Sequence, residues 1–577
     1  MMQTDDSRGY TWRIGLKVIA ILLLGLVSGA QETAAKGGVQ EGQPAAASST
    51  AASSASLQPP AVPVQTELGE AMELERKGKF DPALQKYQLV LQTKPKSPDA
   101  WAGISRCYLK KGDVVHANET ATKGLEINDS WPTRVALGEV YFRQGKISEA
   151  EKEWLDVIRA GHPAARAYLG LARVRWAIEM NKTAKTMIDK AHELDASDPD
   201  IQRYWTATLP RGEQIKQYES SLADPNNLSA DERADLQSYL AYLKDREKHN
   251  TSCRLVSQVR QTETPLVRLL LDPTHLRAYG LTVELNGTRA NLLLDTGASG
   301  IVVKQRLAER AGIEKVTEQK VSGVGDKGPK NGYRGTAKSI RIGKMEFQDC
   351  SVDVIEGRSV VGEDGLIGAD VFESFLVDID FPKELLRLSE LPKRPGETDH
   401  PITLVDTGGG AGGATTSVAD EAAADERPAT PQDRYIAPEM QSYTRVLRFG
   451  HDLLVPTKIG DVAGKLFLLD TGAFNNSISP AAAREVTKVH NDPDTIVKGI
   501  SGSVKNVYTA NKAVLQFGHL RQENQELTAF DTVRFSEDDG IEVSGFLGFV
   551  MLHLLDIKID YRDALVDFTY GAGPFGR

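Results

Sequence analysis

The sequence predicts a multidomain chain in which an α-helical solenoid precedes an all-β region of two lobes. Three observations carry this. From about residue 64, small and aromatic residues recur with a period near 34, the length of a helix-pair repeat. The C-terminal half contains a longer internal duplication built from alternating apolar strands. The stretches flanking these regions are rich in Ala, Ser, Gly and Pro and show no apolar period. At 577 residues the chain has room for several such domains.

Arg8, Arg13 and Lys17 precede an apolar core from Val18 to Val27, and Ser28-Gly29-Ala30 supplies a small-x-small cleavage pattern. A core of about ten residues is short of the ~20 that a membrane span needs. Residues 1–30 therefore read as a signal peptide, and the expected location is periplasmic or secreted. The alternative is a membrane anchor over residues 18–27, to which the acidic Asp5-Asp6 lead points. No cysteine follows the core, which argues against lipoprotein processing. Residues 31–63 read as a disordered tether.

Residues 64–250 read as helical repeats. Gly78-Lys79-Phe80-Asp81-Pro82-Ala83 with Tyr87 and Pro95 forms one unit. Trp101, Tyr108, Gly112, Ala117 and Ala121 form the next, and Gly138, Tyr141, Gly145, Ala150 and Trp154 a third. Tyr168, Ala184, Ile188 and Ala191 form a weaker fourth, and further helix to about Lys248 supplies the cap that such a stack requires. These phases resemble tetratricopeptide repeats. The resemblance implies a surface for a protein or peptide partner, while the aromatics themselves read as core.

The lobes are expected at 264–395 and 435–577, with a flexible Gly/Ala-rich linker over 396–434. Each begins with a hairpin: Leu281 to Ala298 lies over Val455 to Ala473, and both end in Asp-Thr-Gly-Ala. Helices are expected at 304–311 and 480–489, glycine-punctuated hairpins at 321–335 and 497–508, and an apolar-apolar-Gly element at Leu366-Ile367-Gly368 and Phe546-Leu547-Gly548. Alternating strands close each copy. Asp406-Thr407-Gly408 repeats the three-letter motif but runs into Gly409 and Gly410, where no strand can continue; it reads as chance.

Two carboxylates, each ending a buried strand before a tight turn, meet the needs of an acid/base dyad. Side by side they cannot both ionise, so one proton is shared. Both halves resemble retropepsin-like aspartic proteases, with two lobes in one chain. The resemblance implies Asp295 and Asp470 as catalytic residues, Thr296 and Thr471 as crossed hydrogen-bond partners, and Gly297 and Gly472 as backbone contacts near the substrate. Ala298, Ser299 and Ala473 complete the supporting loops, and the 321–335 and 497–508 hairpins become flaps. The copies differ at one place, where Ser299 follows the first motif and Phe474 the second. Phe474 is a subsite candidate, or a plug.

A net charge of −10 argues against nucleic acid as a partner. No metal-ligand motif, phosphate loop or cofactor signature is present, so no cofactor is expected. Cys107, Cys253 and Cys350 are too few and scattered for a disulfide framework or a zinc site. The expected function is an exported aspartic endopeptidase acting on peptide or protein substrate, with the repeats recruiting a partner. The alternatives are a non-catalytic peptide-binding scaffold, or catalysis by lobes paired between two chains.

Overall fold

Glycines at the turns and beneath the aromatics shape the helical module. The computed structural model describes residues 18–20, 64–223, 230–249, 253–321, 323–328, 330–356, 364–397, 402–404 and 432–570. Among these, eleven helices run from Val64 to His249. Gly78, Gly112 and Gly145 turn successive helix pairs at φ of 69°, 74° and 75°, where a side chain is strained. The fourth such turn carries Glu179 at φ 56°. A Cβ on Gly103 would lie 2.2 Å from the Tyr87 ring, and one on Gly138 or Gly170 within 2.5 Å of Trp154. Bare backbone at these crossings lets both aromatics bury completely.

Each lobe threads the same path. In lobe 1, Thr288–Asp295 pairs with His275–Leu285 on one side and with Gly365–Gly368, in parallel, on the other. In lobe 2, Val462–Leu469 pairs with Asp452–Ile459 and, in parallel, with Gly545–Leu547. The parallel partner is the apolar-apolar-Gly element, which sets Gly368 beside Asp295 and Leu547 beside Leu469. The lobes share a sheet: Phe375–Asp380 pairs antiparallel with Leu555–Asp560, Val377 opposite Ile559. Both strands alternate in sequence, and their buried sets meet in one core.

Several expectations change. Cys253 and Cys350 form a disulfide, which the scattered spacing did not reveal. The pairing is tertiary: Arg254–Leu255 lies along Phe347–Gln348 and brings the sulfurs together. The helix expected over 480–489 spans only Pro480–Arg484, because Val489–Asn491 pairs with Tyr508–Ala510 as strand. The linker is anchored at its described parts. Leu404 is buried and its amide donates to Cys253 O, while Asp433 accepts from the amide and hydroxyl of Thr183 at 2.9 and 2.8 Å. The backbone of Val18–Ala20 forms a strand beside Ile496–Lys498. The rest of 1–30, the tether over 31–63 and Asp406-Thr407-Gly408 lie outside the described residues.

The helical module is docked and does not hang free. Phe142 meets Phe449 edge-on at 6.3 Å, Gly145 approaches Leu466, and Glu179 lies 3.7 Å from the buried Arg448 of lobe 2. Arg448 also donates to Glu373 of lobe 1, so its guanidinium joins all three parts of the chain. At the module's other end, Arg246 donates to Asp349 O and to Ser351 Oγ of lobe 1. Among the described residues no helix is long and apolar enough to cross a membrane.

Candidate active site

Two strand ends and two glycine turns bring Asp295 and Asp470 face to face, both fully buried. The crossing is built by the threonines. Thr296 Oγ1 donates to Leu469 O at 2.7 Å and accepts from Thr471 N at 3.0 Å; Thr471 Oγ1 donates to Leu294 O and accepts from Thr296 N, each at 3.0 Å. Each hydroxyl thus satisfies an amide and a carbonyl that would otherwise be buried at the lobe junction. Gly297 and Gly472 lie close against the opposite carboxylates. A Cβ on Gly297 would lie 2.8 Å from Asp470 Cγ, and one on Gly472 2.3 Å from Asp295 Oδ2.

The two carboxylates differ. Asp295 Oδ1 accepts the Gly297 amide at 3.0 Å, whereas Asp470 Oδ1 accepts both Gly472 and Ala473 amides at 2.9 and 2.8 Å. Their Oδ2 atoms are buried without a conventional partner. Burial, and after it the facing Asp470 carboxylate, holds Asp295 well above the usual carboxylate range. Burial pushes Asp470 up to about 7 against the pull of its amide donors. The Gly472 amide draws charge onto both carboxylates, but the facing Asp470 raises Asp295 further, so the shared proton rests on Asp295.

The remaining expected residues fall around this pair. Ala298 and Ala473 are fully buried beneath the turns. Ser299 Oγ donates to Asp370 Oδ2 at 3.0 Å, and Gly300 N to Asp370 Oδ1 at 2.9 Å. Phe474 is half-buried and packs against both the main lobe core and the core shared with the helical module; its carbonyl accepts from Val550 N. Val550 stands in lobe 2 where Asp370 stands in lobe 1, so a polar pair has been exchanged for an apolar one. Asn476 then takes over loop support, accepting from Gly548 N at 2.7 Å.

The two hairpins expected as flaps touch each other. Gly323 N donates to Ser501 Oγ, Ser501 N to Val324 O, and Lys327 N to Ser501 O at 3.1, 3.0 and 2.8 Å. A Cβ on Gly325 would lie 2.5 Å from Gly502 N, so only bare backbone passes there.

Sequence reasoning missed Asp370, Asp452 and Asp539. Asp370 was visible two residues after Gly368, as the acid missing from the second copy. Extending the Leu454–Leu468 register sets Asp452 opposite Asp470, and Asp452 in turn meets Asp539; burial raises both. Nothing in the sequence marks that contact. Among the described residues no group of three metal-ligating side chains converges.

Residues 281–371 match the family model described as Aspartyl protease, and residues 135–179 match a Tetratricopeptide repeat model. The chain carries an aspartyl protease family domain. That match ends before lobe 2, so the place of Asp470 rests on the internal duplication and the geometry. DNA damage-inducible protein 1 of Neurospora crassa is 34% identical over 131 residues, 21% of this chain and 27% of that protein. UBA domain-containing protein Mud1 of Schizosaccharomyces pombe is 27% identical over 161 residues, 26% of this chain and 47% of that protein. The chain thus spans between a quarter and a half of the length of these relatives. Among solved structures, an aspartic proteinase from Irpex lacteus aligns with a TM-score of 0.32 at 13% identity, covering 55% of this chain and 98% of the other. A thermophilic TPR protein of Thermus thermophilus aligns with a TM-score of 0.25 at 21% identity, covering 31% and 98%.

Proposed function

We propose that the chain is an exported aspartic endopeptidase that hydrolyses peptide bonds with the Asp295/Asp470 dyad. The observation that carries this reading is the pair of buried carboxylates whose Oδ2 atoms lack other partners inside the crossed-threonine cradle. Ionised Asp470 takes a proton from a water between the carboxyls. The water oxygen bonds to the scissile carbonyl carbon as neutral Asp295 gives its proton to the carbonyl oxygen. The intermediate then collapses with C–N cleavage, Asp470 passing the proton it took from water to the leaving amine and Asp295 recovering its own. Asp295 keeps its proton, and Asp470, raised to about 7, ionises as pH rises to neutral, which gives the one-proton state this chemistry requires at neutral pH and above.

Export is supported by the basic and apolar N-terminal run with its small-residue site, and by the Cys253–Cys350 disulfide, which suits an oxidising compartment. Recruitment of a protein partner is the role that the helical repeats support.

The test incubates the purified full-length protein with a diverse peptide library across pH, read by mass spectrometry. Asp295→Asn and Asp470→Asn should each remove cleavage without unfolding, and Asp406→Asn should change nothing. Full activity in Asp470→Asn would sink the intramolecular dyad. Peptide binding without cleavage by the wild type would favour the scaffold reading, to which the Phe474–Val550 exchange points.

A further inference from the structure

Lobe 2 is longer than lobe 1 at one place. Lobe 1 passes from Ile355 to Gly365 between its last outer strand and the apolar-apolar-Gly element, whereas lobe 2 passes from Phe530 to Gly545. The added length carries a short helix, Val533–Asp538. Residues 531–544 thus exceed residues 356–364 of lobe 1 by five, and the dyad chemistry does not use this segment.

Its contacts run in three directions. Toward the cleft, Arg534 Nη1 donates to Gly325 O at 2.8 Å, which ties lobe 2 to the tip of the lobe-1 flap. Toward the lobe core, Phe535 meets Phe546 edge-on at 5.2 Å, just before the Leu547-Gly548 element under the dyad loop. Toward the helical module, Arg143 Nη1 donates to Ser536 O, and Arg173 Nη2 donates to Gly540 O at 3.2 Å. Ser536 Oγ braces the segment internally by donating to Thr532 O and accepting from Val543 N. One short helix is therefore held by the module at its C-terminal end and holds the flap tip through its second residue.

We infer that Arg534 is a positioning residue that latches the lobe-1 flap closed, and that the helical module aims it through Arg143 and Arg173. The dyad is fully buried, and the flap residues Val321, Val324 and Ile500 pack into the cores of Ala298 and Ala473 on its loops, so a peptide enters only when the flap tips part, and parting breaks the Arg534–Gly325 bond. A partner that shifts the module's turns at Arg143 or Arg173 moves the latch. The module then governs access to the site as well as recruitment. The consequence for catalysis rests on the peptidase reading; the latch itself does not.

The test uses the full-length protein and three variants: Arg534→Ala, Arg534→Gln and the double variant Arg143→Ala/Arg173→Ala. Amide hydrogen exchange of residues 321–335 is measured beside that of the helices before residue 110, together with melting temperature, KM and kcat. Loss of a charge-assisted bond in the closed state should speed flap exchange about tenfold in both Arg534 variants. The early helices should be unaffected, and KM should rise more than kcat falls. The double variant should move the flap in the same direction by a smaller factor. Flap exchange unchanged in a folded Arg534 variant would overturn the latch, as would a rise no larger than in the helices. A flap that responds to Arg534 but not to the double variant would overturn the module's share. If the wild type cleaves no peptide, the peptidase reading fails, while the exchange data still decide the latch.

Discussion

Replacing Thr471 by Val isolates what the crossed threonines contribute. Valine keeps the shape and the β-branch, so the buried space stays filled. The hydroxyl is lost, and with it the bond accepted from Thr296 N and the bond donated to Leu294 O, both 3.0 Å. Each is worth about 1 kcal/mol, and the Thr296 amide is left in a buried junction without a partner at about 1–3 kcal/mol more. An added buried methyl returns about 1 kcal/mol. The expected net loss is about 2–4 kcal/mol. Thr471→Ser is the control: it keeps both bonds, gives up one methyl, and should cost about 1 kcal/mol. The choice of assay follows from the sequence. Five of the six tryptophans lie within the helical module, the sixth being Trp12, and none lies in the lobes, so fluorescence reports the module. The lobes are better followed by amide exchange of residues 290–300 and 465–476 in rising urea. If Val costs no more than Ser, the hydroxyl bonds do not hold the lobes together. If the fluorescence midpoint falls together with lobe protection, module and lobes unfold as one unit, as the buried Arg448 junction implies.

Stability should fall between pH 5 and pH 8. Burial raises Asp470, Asp538, Asp560 and Glu179 to about 7 and Asp556 to about 6, so the folded state holds protons that the unfolded state releases near pH 4. That contribution is complete below about pH 4 and is lost as pH rises through 6–7. His451, kept neutral by burial, works the other way but is one group against five. Melting temperature measured across this range should decline, less steeply in Asp470→Asn; a rise would refute the assignment. Reduction, or Cys253→Ser, opens a cross-link spanning 97 positions and should cost about 2–4 kcal/mol, read as a lower melting temperature with reductant present. Phe474→Ser should alter which peptides are cleaved while costing about 1–2 kcal/mol, because the ring is only half-buried. A larger loss with an unchanged cleavage profile would place Phe474 in the core alone.

The features legible in sequence are those written in local pattern. The strand, turn and motif around Asp295 and Asp470 are contiguous, and their duplication supplies its own control. Gly78, Gly112 and Gly145 recur where turns need positive φ, and Trp154 recurs against glycines where helices cross. The illegible features are choices among partners distant in the chain. Phe375–Asp380 and Leu555–Asp560 each read as alternating strands, but nothing in either names the other as its neighbour. Cys253 and Cys350 look unrelated until a two-residue strand aligns them. Arg143, Arg173 and Glu179 resemble any charged residue at a helix end, and only docking distinguishes them from a solvated face. The shortened helix at Pro480 is a local failure: alanines favour helix through Arg484, but the strand partner at Tyr508–Ala510 claims Val489.

The duplicated lobes have diverged where divergence would set the direction of the proposed chemistry. In a symmetric pair the carboxylates are equivalent, and substrate must choose which one keeps the proton. Here the surroundings make that choice first. The Gly472 amide serves both carboxylates, Gly297 adds to Asp295 and Ala473 to Asp470, and the facing Asp470 raises Asp295, so the negative charge settles on the lobe 2 side. Beside Asp295, the polar Ser299–Asp370 side-chain pair supports the loop; beside Asp470, the apolar residues Phe474 and Val550 stand in those places, joined only through the Val550 amide to the Phe474 carbonyl. If the dyad acts as proposed, water is deprotonated on the lobe 2 side and the scissile carbonyl is polarised from lobe 1. A bound peptide then has one productive orientation, with its carbonyl toward Asp295, and the half-buried ring of Phe474 stands at the side from which the nucleophile is delivered. Restoring the polar pair by Phe474→Ser together with Val550→Asp would make the two loops alike. It should relax this preference and bring the two carboxylates closer in acidity, which a narrower separation between the limbs of the pH–rate profile would report.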